Sequence, residues 1–289
     1  MPNAIELAMQ FIPVLDEVYK MASLTADLDG AAELARQGAN ANELIIPMLD
    51  MQGLAAYSRN DGYVKGDVTL THETVKCNFD RGRMFSIDTM DNLETAGIAF
   101  GRLSGEFIRT KVVPELDAFR FASYAGFEGV SKIDAGATLD NGSMVLEALR
   151  EATNKMDEDE VPFEDRHLRI TPTLFGMIDD LDTTKSREVL KSFASVKKVP
   201  QTRFYTAIEQ LSGKDGEAAG GYKKAEGGAD INFMILHKPA LIQFSKHIAP
   251  KIIDPNVNQE ADAWKFGYRH VSIANVYKNK AAGIFLHHK

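Results

Sequence analysis

The 289-residue sequence predicts an α+β fold, in which helices and strands are mixed along one chain. Segments whose apolar residues alternate, as in half-buried strands, stand beside segments whose apolar residues recur at helical spacing. The two kinds of segment do not follow the strand–helix–strand rhythm of a parallel sheet. A hydrophobic content of 44% is ordinary for a globular protein, and the chain is long enough to bury a core of its own.

The alternating segments predict a strand-rich arm that begins near Asp67. Val75, Cys77 and Phe79 alternate with polar residues and share the inner face of a strand. We expect a turn at residues 81–83, after which the strand resumes. An earlier strand over 44–46 ends at a proline, which limits it to an edge or an end of a sheet. A hairpin is marginally stable alone in water, so such an arm needs a surface, and another subunit is the first candidate.

A long amphipathic helix is predicted directly after this arm. Asp91 can cap its first turn, and Glu94 stands three residues on, as in a capping box. Apolar residues then recur at helical spacing at Leu93, Ala96, Phe100, Leu103, Phe107 and Ile108. Pro114 falls inside this pattern, so we expect a kink near Val113.

The remaining elements are shorter. Helices are predicted over 141–156, 173–181 and 240–247, the last opened by Pro239, and 186–193 extends the second of them. Strands are predicted over 168–170 and 231–236, with a final pair at 270–277 and 283–287. The glycine-rich stretch 214–228 is expected to be a mobile surface loop.

Charge and composition argue against several classes of function. The net charge of −8 leaves no polycationic surface for nucleic acid, so any DNA is expected to be enclosed and not bound through its phosphates. Cys77 is the only cysteine, which excludes an intrachain disulfide. We find neither a secretory signal nor an apolar run long enough to cross a membrane, so synthesis in the cytoplasm is the expectation.

No motif predicts catalysis. The sequence has no phosphate-binding loop, no dinucleotide fingerprint and no HExxH, and the Gly101–Gly105 stretch has the wrong spacing for a nucleophile elbow. Two acidic clusters could bind Mg²⁺ or Ca²⁺, although a solvated charged edge is the favoured interpretation. They comprise Asp157, Glu158, Asp159, Glu160, Glu164 and Asp165, and Asp179, Asp180 and Asp182. A metal-dependent enzyme therefore stays an alternative, while we expect no enzyme and no cofactor.

Several segments together resemble the major capsid proteins of tailed bacteriophages, which have the Hong Kong 97-type fold. The segments that carry the resemblance are Thr69–Thr74, Asp80–Asn92, Gly105–Phe121, Gly228–Met234 and Asn258–Arg269. They are spread over most of the chain. The resemblance implies a structural protein that assembles into the icosahedral shell around phage double-stranded DNA. An encapsulin-like nanocompartment shell, with protein cargo, is a close alternative.

The resemblance also implies a division of the chain. Residues 1–52 would form an N-terminal arm and 53–90 an extended β-hairpin loop. Residues 91–172 and 262–289 would form a peripheral domain with a long spine helix, and 173–261 an axial domain. The expected partners are other copies in hexamers and pentamers, a separate scaffold protein, a portal, a possible decoration protein, and packaged DNA bound without sequence specificity. The protein would reside in the virion, after synthesis in the host cytoplasm, and not in a membrane.

Charge suggests where subunits meet. Arg81 and Arg83, with Lys65 nearby, are predicted at the tip of the arm, where they would dock on acidic surface of a neighbour. The first candidate for that surface is the edge formed by Asp157, Glu158, Asp159 and Glu160. The alternative is that residues 81–83 form only a solvated turn. Some capsid proteins crosslink through a lysine, but no partner for Lys65 is evident.

Overall fold

The computed structural model describes residues 23–30, 36–37, 43–57, 59–60, 62–90, 104–132, 136–181, 184–214 and 216–289. They form an α+β fold, as predicted. The start of the predicted long helix lies outside these ranges. The strands are β1 Arg36–Gln37, β2 Glu43–Met51, β3 Val68–Lys76, β4 Phe79–Asp88, β5 Ser131–Lys132, β6 Arg166–Ile170, β7 Ser195–Lys198, β8 Ile208–Gln210, β9 Tyr222–Lys224, β10 Ile231–His237, β11 Leu241–Ile253, β12 Ala263–Val276 and β13 Ile284–His288. The helices are α1 Val113–Ala125, α2 Gly142–Glu158, α3 Pro172–Asp179 and α4 Thr184–Lys191.

A three-stranded antiparallel sheet in the order β11–β12–β4 supports the long helix. The helix is already formed at residues 104–107, widens to a π-helix over Ile108–Val112, and continues as α1. The π-turn lies directly before Pro114, which lacks the N–H that would continue the ladder. Val113 and Leu116 pack with Phe266 and Tyr268 of β12 in one apolar cluster.

A five-stranded sheet in the order β5–β13–β10–β6–β7 forms the second layer. All seven residues of β10 are buried, because the strand is covered on both faces. Phe233 and Ile235 face α2 and α3, while Met234 and Leu236 face the far end of α1 and the strands of the first sheet. Phe121 of α1 belongs to the same apolar cluster as Met234 and Leu236, whereas Val113 of this helix packs against β12. One helix therefore contributes to two apolar clusters.

Two smaller sheets complete the fold. The order β1–β2–β3 makes a long hairpin, and β8 pairs with β9 in a short one. β2 and β3 are antiparallel along their whole length, with Pro47 opposite His72. The strand therefore continues through Pro47, where the sequence predicted an end. Among the described residues β1 covers only Leu44 and Ile45, so Pro47 lies on an open edge that needs no N–H donor.

The segment Arg81-Gly82-Arg83 is part of a strand and not the predicted turn. The turn lies at Cys77 and Asn78 instead, and β4 runs straight through the three residues in register with β12. A Cβ at Gly82 would stand 2.8 Å from the Tyr268 carbonyl oxygen, so this glycine allows close approach of β12 and does not mark a turn. Cys77 is consequently in the turn and half-buried, not on the inner face of a strand.

The predicted helix over 240–247 is wrong. Pro239 lies in a single 3₁₀ turn, and β11 follows it and pairs with β12 over its whole length. Long-range strand pairing therefore prevails over the local helix signal. His247, at the end of the predicted helix, lies in β11 instead.

Two further predictions need correction. The final pair of strands exists as β12 and β13, but each joins a different sheet. Part of the predicted loop 214–228 is the strand β9. The predicted domain boundaries near 172 and 261 stay predictions, and strand pairing joins segments from both sides of them. β6 and β13, assigned to the peripheral segments, share a sheet with β7 and β10, whereas β11 joins the first sheet.

Candidate assembly surfaces

The β2–β3 hairpin and its loop carry an unusual amount of exposed apolar surface. Seven of the twelve exposed large apolar side chains among the described residues lie in this one stretch: Met51, Leu54, Tyr57, Tyr63, Val64, Val68 and Leu70. At the base of the hairpin, Val75 packs on Ile242 and Ile273. The rest projects as an arm, and Lys65 is exposed in its loop. Apolar surface of this extent on one projecting element marks an interaction site.

Arg81 binds residues of its own chain and does not lie at the tip of the arm. Its Nε donates to Glu115 Oε1 of α1 at 2.8 Å, and its Nη2 donates to the carbonyl oxygens of Leu211 and Gly221 at 2.7 and 3.2 Å. Burial raises the pKa of Glu115, and the Arg81 guanidinium opposes that rise. Arg81 thus joins β4, α1 and the loop between β8 and β9.

Arg83 holds the same loop. It donates to the carbonyl oxygens of Ala218 and Ala219 at 2.7 and 3.1 Å. Both arginines therefore bind backbone carbonyls, with Glu115 the one carboxylate that pairs with either among the described residues. The predicted position of the pair at a tip is wrong. Their predicted contact with a neighbouring subunit concerns a second chain and stays a prediction.

A cleft of about 1000 Å³ opens between β4, the long helix and the β8–β9 loop. Its walls contain the aromatic rings of Phe85, Phe107, Tyr205, Tyr222 and Tyr268. Burial raises the pKa of Tyr222 to about 12, so its hydroxyl stays protonated. The charged side chains are Arg81, Arg83, Lys111, Lys223 and Lys224 against Asp80, Glu106 and Glu115. Five cations and three carboxylates give the cleft a formal charge of +2, in a chain whose net charge is −8.

The acidic segment, residues 157–165, is held by a buried arginine. Arg166 donates to Asp157 Oδ1 at 2.7 Å, to the Pro162 carbonyl at 2.9 Å and to the Val161 carbonyl. Asp159 pairs with Lys155 at 2.9 Å, while Glu158 and Glu160 are exposed. Of the predicted acidic edge, two carboxylates are thus occupied within the chain and two face solvent.

Two features of these surfaces have no counterpart among the sequence predictions. The Phe163 side chain, inside the acidic segment, is 72% exposed. Lys111 lies at the cleft on an exposed turn of the long helix. A single aromatic residue within a run of acidic residues was the only feature of the sequence that could have indicated an exposed Phe163. Nothing in the sequence distinguishes Lys111 from the other lysines of predicted helices.

Residues 23–30 form a polar plug that the sequence also did not reveal. Buried Asp117 of α1 accepts hydrogen bonds from the Ser23 and Thr25 hydroxyls at 2.8 and 2.7 Å. Asp27 accepts two bonds from buried Arg169 of β6, at 2.9 and 2.8 Å. The plug therefore joins the long helix to the five-stranded sheet.

The described part of the chain offers neither a metal cluster nor a membrane span. No three His, Cys, Asp or Glu side chains there are grouped to hold a metal ion. Nor is any described helix both long and apolar enough to cross a bilayer. Asp182, from the second predicted acidic cluster, lies outside the described residues.

Comparison with solved structures identifies the fold. No protein-family model and no curated protein matches the sequence. The chain is similar to a structure from Gordonia phage Cozz, with a TM-score of 0.62, 13% identity, and coverage of 92% of this chain and 86% of the other. A virus-like particle from Pyrococcus furiosus gives a TM-score of 0.57 at 11% identity, covering 94% and 95%. The mature capsid of bacteriophage PhiM1 gives 0.54 at 11% identity, covering 86% and 82%. The chain has the fold of phage capsid proteins.

Proposed function

We propose that this protein is the major capsid protein of a tailed bacteriophage, which assembles into the icosahedral head shell around double-stranded DNA. The observation that carries the proposal is agreement of the fold over nine-tenths of this chain and most of the phage chain it matches. The exposed apolar arm supports it independently. A subunit that exposes such an arm gains free energy by covering it, and identical subunits can cover one another's arms.

The test is assembly of the purified chain. Light scattering and negative-stain electron microscopy across salt and protein concentration, with a crowding agent at the upper end, should show rings or closed shells. Leu54→Asp together with Tyr63→Asp should leave the circular dichroism spectrum unchanged and prevent assembly, because the charges prevent burial of the arm. Val257→Asp, at an exposed valine outside the arm, is the matched control. Only monomers or one small oligomer under every condition, including addition of a scaffold protein, would overturn the proposal.

The anatomy of the subunit follows from the same proposal. The hairpin of β2, β3 and their loop is the extended loop that reaches a neighbour, and it begins near residue 43, ten residues before the predicted start. The β11–β12–β4 sheet with the long helix is the peripheral domain. The five-stranded sheet with α2 and α3 is the axial domain, at the five- and six-fold vertices. The N-terminal arm, predicted over 1–52, overlaps the start of this hairpin, and residues 1–22 lie outside the described residues.

The wider set of partners is also proposed. Hexamers and pentamers of this chain would be organised by a separate scaffold protein and a portal, with a decoration protein as an optional addition. The net charge of −8 supports a container that encloses DNA without binding it in a sequence-specific way. Synthesis would take place in the host cytoplasm, and the shell would be structural and not enzymatic.

A second candidate, an encapsulin-like shell, is favoured by the match to the Pyrococcus furiosus particle. Particles isolated from the native source distinguish the two. A phage head should contain nuclease-protected double-stranded DNA, and an encapsulin-like shell should contain a protein cargo. The metal-dependent enzyme has no comparable support, because Asp157 and Asp159 of the proposed metal site are paired with Arg166 and Lys155.

A further inference from the structure

We infer that the acidic segment of one subunit docks in the cleft of a neighbouring subunit, with the Phe163 ring among the aromatic side chains of the cleft. The inference rests on the proposed function, because the occupant is a second copy of this chain. It names two surfaces on the same chain, one that protrudes and one that receives.

The protruding surface is preorganised. Glu160 and Asp165, near the two ends of the segment, both have a φ of 56°, which is uncommon for residues other than glycine. Such conformations cost about 1–3 kcal/mol each and persist only where the surroundings impose them. Arg166 binds Asp157 and the carbonyls of Val161 and Pro162, and the Lys238 N–H donates to the Asp165 carbonyl at 3.0 Å, so the segment is held along its length. A segment already fixed in one shape loses little conformational entropy when it binds.

Phe163 supplies the apolar anchor of this segment. The ring is 72% exposed, and the Arg166 guanidinium lies 5.0 Å from its centroid. The arginine thus holds one side of the ring and leaves most of its surface to solvent. A rigid exposed aromatic side chain is the kind of group that carries much of the binding energy at protein interfaces.

The cleft matches this anchor in shape and charge. Its volume of about 1000 Å³ has room for a turn of polypeptide, and its walls offer half-buried rings at Phe85, Phe107 and Tyr205. Arg83 and Lys111 lie at the cleft, and neither pairs with a carboxylate among the described residues. The acidic segment carries six carboxylates, two of which, Asp157 and Asp159, already pair with Arg166 and Lys155. Opposite charge at this contact would offset the repulsion between acidic subunits and fix the register in which they meet.

The contact is head-to-tail, because the segment and the cleft are different surfaces. A repeated contact of this type generates a ring when the rotation closes. The acidic surface in this contact is the one predicted from the sequence, but the basic surface that it meets is different. Arg83 and Lys111 at the cleft replace a basic tip of the arm, and Arg81 shapes the cleft from within through Glu115.

Chemical crosslinking tests the contact directly. In a Cys77→Ser background, chains with Glu164→Cys, next to the Phe163 anchor, are co-assembled with chains carrying Thr110→Cys, next to Lys111 at the cleft, and a short bismaleimide reagent is added. Covalent dimers should exceed those of a matched mixture of Val257→Cys and Thr110→Cys chains by about tenfold, because a short linker joins only thiols that lie close together. Dimer yields equal to this control in assembled particles would overturn the inference.

Assembly measurements give a second, independent test. Phe163→Ala should raise the subunit concentration needed for assembly by about tenfold, the loss expected for a moderate interface anchor. Val257→Ala, at another exposed site, should change it less than about twofold. Lys111→Glu should raise it about two- to fivefold, and adding Glu164→Lys to the same chain should recover part of the loss.

The outcomes separate this inference from the proposed function. Shells formed normally by Phe163→Ala, with no crosslink between positions 164 and 110, would refute the docking contact and leave the capsid function standing. Failure of the unmodified chain to form any shell, with a scaffold protein present as well as without it, would refute the function itself. An assembly defect in Phe163→Ala counts in favour only if its circular dichroism spectrum and urea midpoint match those of the unmodified chain.

Discussion

At the scale of single residues, the buried Asp27–Arg169 pair is the most consequential contact. Arg169 is fully buried, Asp27 binds it through both oxygens, and Lys197 approaches the same carboxylate at 2.8 Å. Asp27→Asn would leave the guanidinium buried without the carboxylate that binds it. We expect a loss of about 3 kcal/mol in the free energy of unfolding, the lower end for a broken buried pair, because Asp27 is partly exposed. Urea denaturation at pH 7 measures it.

Asp80→Asn is the matched control. Asp80 also binds an arginine through both oxygens, but that pair with Arg269 is exposed on β4 and β12. An exposed pair contributes at most about 1 kcal/mol, so this variant should unfold close to the unmodified chain. Equal losses from the two substitutions would contradict the special role of burial at Asp27.

The Asp27 pair also predicts a dependence on pH. Burial by itself raises the pKa of Asp27, but the hydrogen bond from Lys197 and the charges of Arg169 and Lys197 outweigh it, so the pKa lies below its ordinary value. The stabilisation is therefore complete above about pH 4 and is lost as pH falls through the lowered folded-state pKa. The difference between Asp27→Asn and the unmodified chain should shrink below about pH 4. A constant difference from pH 7 to pH 3 would contradict this assignment.

Residues such as Asp27 show where sequence reasoning stops. In the sequence Asp27 is one acid in a polar stretch, and Arg169 lies 142 positions away within a short apolar strand. Only the fold brings them together. Buried charged side chains are rare, so the sequence alone predicts an exposed position for both residues. Asn141 is the opposite case. It caps α2 by accepting from the Met144 N–H, so its role was readable from local spacing alone.

At the scale of elements, two glycines give opposite predictions. Gly82→Ala would place a Cβ 2.8 Å from the Tyr268 carbonyl and 3.3 Å from Arg269 Cα, so β4 must move away from β12. We expect a loss of about 1–3 kcal/mol, as for other overpacked sites. Gly105→Ala, on a helical turn where no described atom outside the helix's own backbone lies within 4 Å of the added Cβ, should gain about 0.5–1 kcal/mol. Urea denaturation of both variants measures the change in the free energy of unfolding. A change in the same direction for the two variants would refute the argument.

Elements were predictable where their signals were local. The predicted helix 141–156 corresponds to α2, and the apolar run 231–236 to β10. β4 and β11 were misjudged for one reason, namely that both are defined by pairing with β12. In the sequence Gly82 suggests a turn and Pro239 suggests the start of a helix. Long-range strand pairing determines the structure that follows each of them.

At the scale of the whole molecule, the fold class and the need for a partner surface were predictable. Apolar alternation in an element too thin to cover itself already implied another subunit. The assignment of strands to sheets was not predictable, because β6, β10 and β13 come from separate parts of the chain and meet only in the fold. Each of the two larger sheets therefore combines strands from separate parts of the sequence.

Hydrogen exchange of the free and assembled protein tests this picture of the whole subunit. The amides of residues 51–70 should exchange rapidly in the free subunit, because the loop and the hairpin end are exposed. In the shell they should be protected, since burial against a neighbour removes water from the same backbone. β4 is the internal control: its ladder with β12 already exists in the single chain, so it should be slow in both states. Equal exchange of residues 51–70 before and after assembly would show that the arm is not an assembly surface, whatever particles are formed.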